Sequence, residues 1–170
     1  MQNKVIREKK SLLPWFKKNT EVRISNYIDM NLIFFLNADT STEAIEHLVN
    51  GLFEFEVISD KNIFGKAIFE REKIVSTGIG MGVAVPHAKL YSLKNFFIAI
   101  GIQKGKGLEW NAIDKAPVRL IFMIGGPDDR QTEYLQILSH LTKIIKDESL
   151  RKKIFSAKKP EEIVKLLNPF

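Results

Sequence analysis

Short apolar runs alternate along the chain with stretches whose apolar residues recur three and four positions apart, the two periods that separate buried strands from amphipathic helices. MNLIFFLNA (30–38), rich in Ile and Phe and bounded by polar residues, predicts a strand. In DTSTEAIEHLVNGLFEF (39–55) the period changes: Ala44, Leu48 and Leu52 form one stripe, with Ile45, Val49 and Phe53 beside it. Thr40 followed by Glu43 fits a capping box at the start of that helix. A second helix is expected in SDKNIFGKAIFEREKIV (59–75), opened by Ser59 or Asp60, with Ile63, Phe64, Ala67, Ile68 and Ile74 inward and Arg71 exposed near its C-terminal end.

NFFIAIGIQ (95–103) and PVRLIFMIGG (117–126) predict two further strands, joined by the loop or hairpin KGKGLEWNAIDKA. After GGPDDR, the stretch TEYLQILSHLTKIIKD (132–147) predicts a long helix with Leu135, Leu138, Leu141 and Ile145 on its inner face. Helices at about 148–156 and 160–167 finish the chain, and Pro160 suits a first helical turn. Interleaved helices and buried strands imply one α/β fold, a mixed central β-sheet flanked by helices on both faces in an α/β/α sandwich.

Charge divides the 170 residues unevenly. The formal net charge of +6 resides at the ends: residues 1–23 carry seven Lys/Arg against two Glu, residues 151–170 six against two, and residues 24–150 thirteen basic against sixteen acidic. A basic groove in the folded body is disfavoured, and with it a nucleic-acid partner. The chain divides into a basic N-terminal extension (1–23), where LLPWFKK can bury a small apolar face, and one domain (24–170). The start lacks the apolar core of a secretory signal and no stretch is long enough for a stable membrane insertion, so a cytoplasmic protein is expected. With no cysteine, thiolate metal sites and cysteine nucleophiles are excluded.

Candidate chemistry lies in STGIGMGVAVPHAKL (76–90). A nucleotide P-loop needs Lys-Ser/Thr after its last glycine, and Gly82 is followed by Val-Ala-Val. Gly78, Gly80 and Gly82 fit either a twisted turn or a loop whose amides, with the Ser76 and Thr77 hydroxyls, bind a phosphoryl group. His87 stands where an apolar strand ends, just after Pro86, and a neutral imidazole there can carry a phosphoryl group on one nitrogen while the other is held by a hydrogen bond. Arg71 is either an ordinary helix-end cation or the counter-charge for phosphoryl oxygens. His47 and His140 lie inside helices and are read as packing or surface residues.

The run REKIVSTGIGMGVAVPH (71–87) resembles the active-site signature of the enzyme IIA domains, type 2, of the fructose/mannitol class of the bacterial phosphoenolpyruvate-dependent sugar phosphotransferase system, a family that includes nitrogen-related regulators. The similar element order extends from about residue 25 to 167. The resemblance implies that His87 accepts a phosphoryl group from phospho-HPr or a homologue and passes it to an enzyme IIB domain, or signals its phosphorylation state to a regulatory target, without a cofactor. It assigns Arg71 and the glycine-loop amides to the phosphoryl oxygens. One departure stands out: the family's second histidine, at the start of the long helix, corresponds here to Tyr134. A phenol donates a hydrogen bond but cannot become cationic, which favours a regulatory role over sugar transport. The alternative is a protein-binding module on the same fold that transfers no phosphate.

Overall fold

The computed structural model describes residues 22–170. The expectations for LLPWFKK and most of the basic extension lie outside that range. The described core begins at Val22, which is buried together with Ile24, so packing starts within the last residues assigned to the extension. No helix among the described residues is long and apolar enough to cross a membrane.

Six strands form one mixed sheet: β1 (Ile28–Leu36), β2 (Gly78–Gly80), β3 (Val83–Ala84), β4 (His87–Lys89), β5 (Phe97–Gln103) and β6 (Leu120–Gly126). Their order is β1-β5-β6-β3-β2, with β4 also on β6. β1 runs parallel to β5, and β3 and β4 parallel to β6, whereas β5–β6 and β2–β3 are antiparallel. The predicted hairpin between β5 and β6 is therefore present, its long loop closed by a bridge from Leu108 to Val118.

β5 and β6 are buried along their whole length, which explains their unbroken apolar sequences: both faces are covered. Alternation divides each strand between two cores. Ile98, Ile100, Ile102, Leu120, Phe122 and Ile124 face the core shared with α3 (Gln131–Lys146), α4 (Glu148–Ser156) and α5 (Pro160–Leu167). Ala99, Ile121 and Met123 face the other, covered by α1 (Ser41–Glu54) and α2 (Lys61–Ile74). The α/β/α sandwich read from the sequence is the architecture found.

Helix starts follow their capping chemistry. The Thr40 hydroxyl accepts from the Glu43 N–H at 3.1 Å, and the Glu43 carboxylate reaches back to the Asp39 N–H at 2.8 Å. Asp60, and not Ser59, caps α2 by accepting from Asn62 and Ile63. The inward faces need correction. Ile63 and Ile74 are 57% and 80% exposed, and Phe53 is exposed at the end of α1. In α3 the buried stripe is Tyr134, Ile137, Leu141, Ile144 and Ile145, while Leu135 is 54% exposed. Leu141 and Ile145 of the predicted stripe are buried and Leu138 packs on the core, while in the first turn of α3 Tyr134 takes the inward position expected of Leu135.

Candidate functional site

The glycine-rich segment is a hairpin and not an open loop. β2 and β3 pair around a turn in which Gly80, Met81 and Gly82 all have positive φ, at +94°, +58° and +73°. At Gly80 a Cβ would also lie 3.0 Å from Asp114 Oδ2, the atom that accepts the Met81 N–H at 2.8 Å. Backbone conformation and a close neighbour thus both select glycine there.

Beyond the hairpin, β3 and β4 lie along the same edge of β6, interrupted at Val85-Pro86. Pro86 has no N–H to give, but its carbonyl accepts from the Ile124 N–H at 3.0 Å and keeps the chain on β6. Adjacent carbonyls of an extended chain point to opposite sides, so the Val85 carbonyl turns away from β6, on the side where its N–H bonds Thr77 O. It lies 2.9 Å from His87 Nδ1. A carbonyl can only accept, so Nδ1 carries the proton and Nε2 keeps its lone pair.

Arg71, half-buried near the end of α2, donates from Nε to that Nε2 at 3.0 Å and from Nη1 to the Val75 carbonyl at 2.9 Å. A protonated Nε2 could not accept this bond, so the two contacts of the ring agree on one tautomer. Burial holds the His87 pKa below its ordinary value, and the Arg71 and Lys89 charges act in the same direction. The Val85 hydrogen bond and the Glu72 carboxylate oppose them without reversing the outcome. The imidazole is therefore neutral near pH 7, the form that has a nucleophilic lone pair.

Tyr134, in the first turn of α3, lies on the other side, its ring centroid 5.7 Å from that of His87. Its position is fixed by stacking on Phe96 at 6.2 Å. Phe96 in turn occupies the space above Gly126, where a Cβ would come within 2.0 Å of the ring. Burial raises the Tyr134 pKa against the lowering influence of Arg71, so the phenol keeps its proton. The preceding Glu133 ties the same turn down, accepting from Tyr27 at 3.0 Å; burial and this carboxylate push the Tyr27 hydroxyl up to about 12.

Of the residues singled out in the sequence, the structure brings Arg71, His87 and Tyr134 together. Ser76 and Thr77 have other partners: the Ser76 hydroxyl donates to the Trp110 carbonyl and accepts from the Gly78 N–H, and the Thr77 hydroxyl donates to Glu72. Glu72, which the sequence reading passed over, is the centre of this bracing. Its carboxylate also accepts the Thr77 N–H at 2.8 Å and the Trp110 indole N–H at 3.0 Å, joining the end of α2 to the glycine hairpin and to the β5–β6 loop. Lys89 was missed as well. Strand alternation was the available signal, because residues i and i+2 share a face and Lys89 follows His87 by two.

Comparison with known proteins places the chain in a family. Residues 26–169 match the family model described as "Phosphoenolpyruvate-dependent sugar phosphotransferase system, EIIA 2". The chain is 31% identical over 151 residues to the PTS system fructose-specific EIIABC component of Bacillus subtilis, an alignment covering 89% of this chain and 23% of that protein's length. It is 30% identical over 128 residues to the PTS system fructose-specific EIIA component of Haloferax volcanii, covering 75% of this chain and 82% of the relative. Among solved structures, nitrogen regulatory protein IIA-Ntr from Neisseria meningitidis superposes with a TM-score of 0.79 at 26% identity, over 85% of this chain and 98% of that one. With a family match that spans nearly the whole described fold and includes the Arg71–His87 pair, the chain belongs to the EIIA 2 family of the phosphoenolpyruvate-dependent sugar phosphotransferase system.

Proposed function

We propose that this protein is a histidine phosphocarrier in which Nε2 of His87 accepts a phosphoryl group from phospho-HPr or an HPr-like carrier. The observation that carries this reading is the pair of hydrogen bonds on one ring: Nδ1 committed to the Val85 carbonyl and Nε2 facing Arg71. In the transfer, the Nε2 lone pair forms the new N–P bond while the donor's N–P bond breaks and its electron pair stays on the donor nitrogen. The proton stays on Nδ1, hydrogen-bonded to the Val85 carbonyl, so no base is required. Arg71 must leave Nε2 for the phosphorus to approach, and a guanidinium released there meets phosphoryl oxygens with the same donors.

Ser76 and Thr77 serve phosphate binding by fixing the hairpin, since their hydroxyls are engaged by Trp110 and Glu72. Gly78, Gly80 and Gly82 serve the site by letting the hairpin form: Gly80 and Gly82 take positive φ and Gly78 leaves room for Ala112. Exposed Ile74, Val75, Ile79, Met81 and Ile113, on the segments around the site, suit an apolar contact with such a partner. Tyr134 in place of a second imidazole favours a regulatory role, with the phosphorylation state read by a target protein, over delivery to a sugar-specific enzyme IIB. The same substitution is what favours the second reading, a module that binds partners without transferring phosphate.

Incubation with phosphoenolpyruvate, enzyme I and HPr, followed by intact-mass spectrometry, distinguishes the two. One phosphoryl group gained by the wild type and none by His87→Ala is the expected result. No gain from demonstrably phosphorylated HPr would leave the binding module as the better account.

A further inference from the structure

Lys89 is half-buried, two residues beyond His87 on the same face of β4. Its ammonium lies 4.8 Å from the centroid of the Tyr134 ring and donates to Gln131 Oε1, at the start of α3. Both partners are neutral. Among the described residues the ion pairs join Lys66 to Glu70, Arg130 to Glu133 and Lys152 to Glu148, and Lys89 enters none of them. The ammonium two residues from the nucleophile therefore has no carboxylate partner among the described residues and is available to an arriving anion.

The arriving group is a dianionic phosphoryl unit bonded to Nε2. Arg71 meets it from the α2 side. On the α3 side stands Tyr134, which offers a ring face and a protonated hydroxyl but no charge. We propose that Lys89 is the second cation of the transfer site: held in reserve on the Tyr134 face, it swings to the phosphoryl oxygens during transfer and supplies the charge that a tyrosine cannot. The four-carbon stem of lysine permits this movement, and the ring face gives the ammonium a resting place that binds it weakly enough to be left. Lys89 makes and breaks no covalent bond. It stabilises the charge on the three oxygens as the N–P bond passes from donor to His87.

This inference rests on the phosphocarrier reading, and single-turnover transfer from phospho-HPr separates the two. If the wild type gains no phosphoryl group, the carrier reading itself fails. If it does, Lys89→Met is expected to lower the maximal transfer rate roughly 10- to 100-fold, with the half-saturating phospho-HPr concentration changed less than about twofold. Lys89→Arg, which keeps the charge, is expected to recover most of the rate, and phospho-His87 in Lys89→Met to hydrolyse at a different rate from wild type. Unchanged maximal rate in Lys89→Met would overturn the proposal. So would a loss confined to half-saturation, which would make Lys89 a docking residue, or a loss that arginine fails to rescue. Circular dichroism and the melting temperature of each variant establish that the comparison is between folded proteins.

Discussion

At His87 different neighbours set the tautomer and the charge of one ring. The Val85 carbonyl chooses the tautomer, and burial, assisted by the Arg71 and Lys89 charges, keeps the ring neutral below its ordinary pKa of 6.5. Between that depressed value and 6.5 the folded chain binds fewer protons at this site than the unfolded chain. His87 therefore contributes stability that is complete above pH 6.5 and lost as pH falls through the depressed value. Arg71→Met is expected to raise the His87 pKa, because the guanidinium is one of the causes that lower it. An NMR titration of the ring protons checks this, and a fall on removing the guanidinium would contradict the geometry. His87 was legible from its place after Pro86 at a strand end, and Arg71 and Tyr134 through the family resemblance; the structure brings the three side chains together. The Val85 carbonyl was not legible, because every amino acid has one: a substitution at 85 alters packing and leaves the oxygen in place.

Among the elements, the junction of α2, the glycine hairpin and the β5–β6 loop depends on one carboxylate. Glu72 accepts from the Thr77 N–H, the Thr77 hydroxyl and the Trp110 indole, and Thr77 and Trp110 are both buried. Glu72→Ala leaves buried donors without that acceptor and is expected to cost about 1–3 kcal/mol, measured by urea unfolding. A loss below about 0.5 kcal/mol would show that water replaces the carboxylate. Sequence periodicity located the five α-helices of the described residues and the longer strands, because those patterns are local, and missed the short 3-10 turn at Ile24–Tyr27. It misplaced Ile63, Ile74 and Leu135, which are apolar yet exposed, and left the hairpin β2–β3 open between a turn and a binding loop. The hairpin depends on long-range partners: Asp114 on Met81 and Ala112 beneath Gly78, each more than thirty residues away in sequence. No local pattern encodes such contacts.

Across the whole molecule the sheet separates two cores that share its central strands. Phe122 on β6, fully buried toward α3, is a large side chain of the first core. Phe122→Ala is expected to destabilise the protein by about 3–5 kcal/mol, read as a lowered urea midpoint with an unchanged slope. A changed slope would indicate that the two layers unfold separately. The site lies where these layers meet. Arg71 comes from a helix that packs on one core, Tyr134 belongs to the other, and His87 stands on the strand end between them. A charge gained at that imidazole is therefore felt on both sides of the seam at once. In the carrier proposed above, that places one chemical event at the joint of two helical layers, open to being read from either.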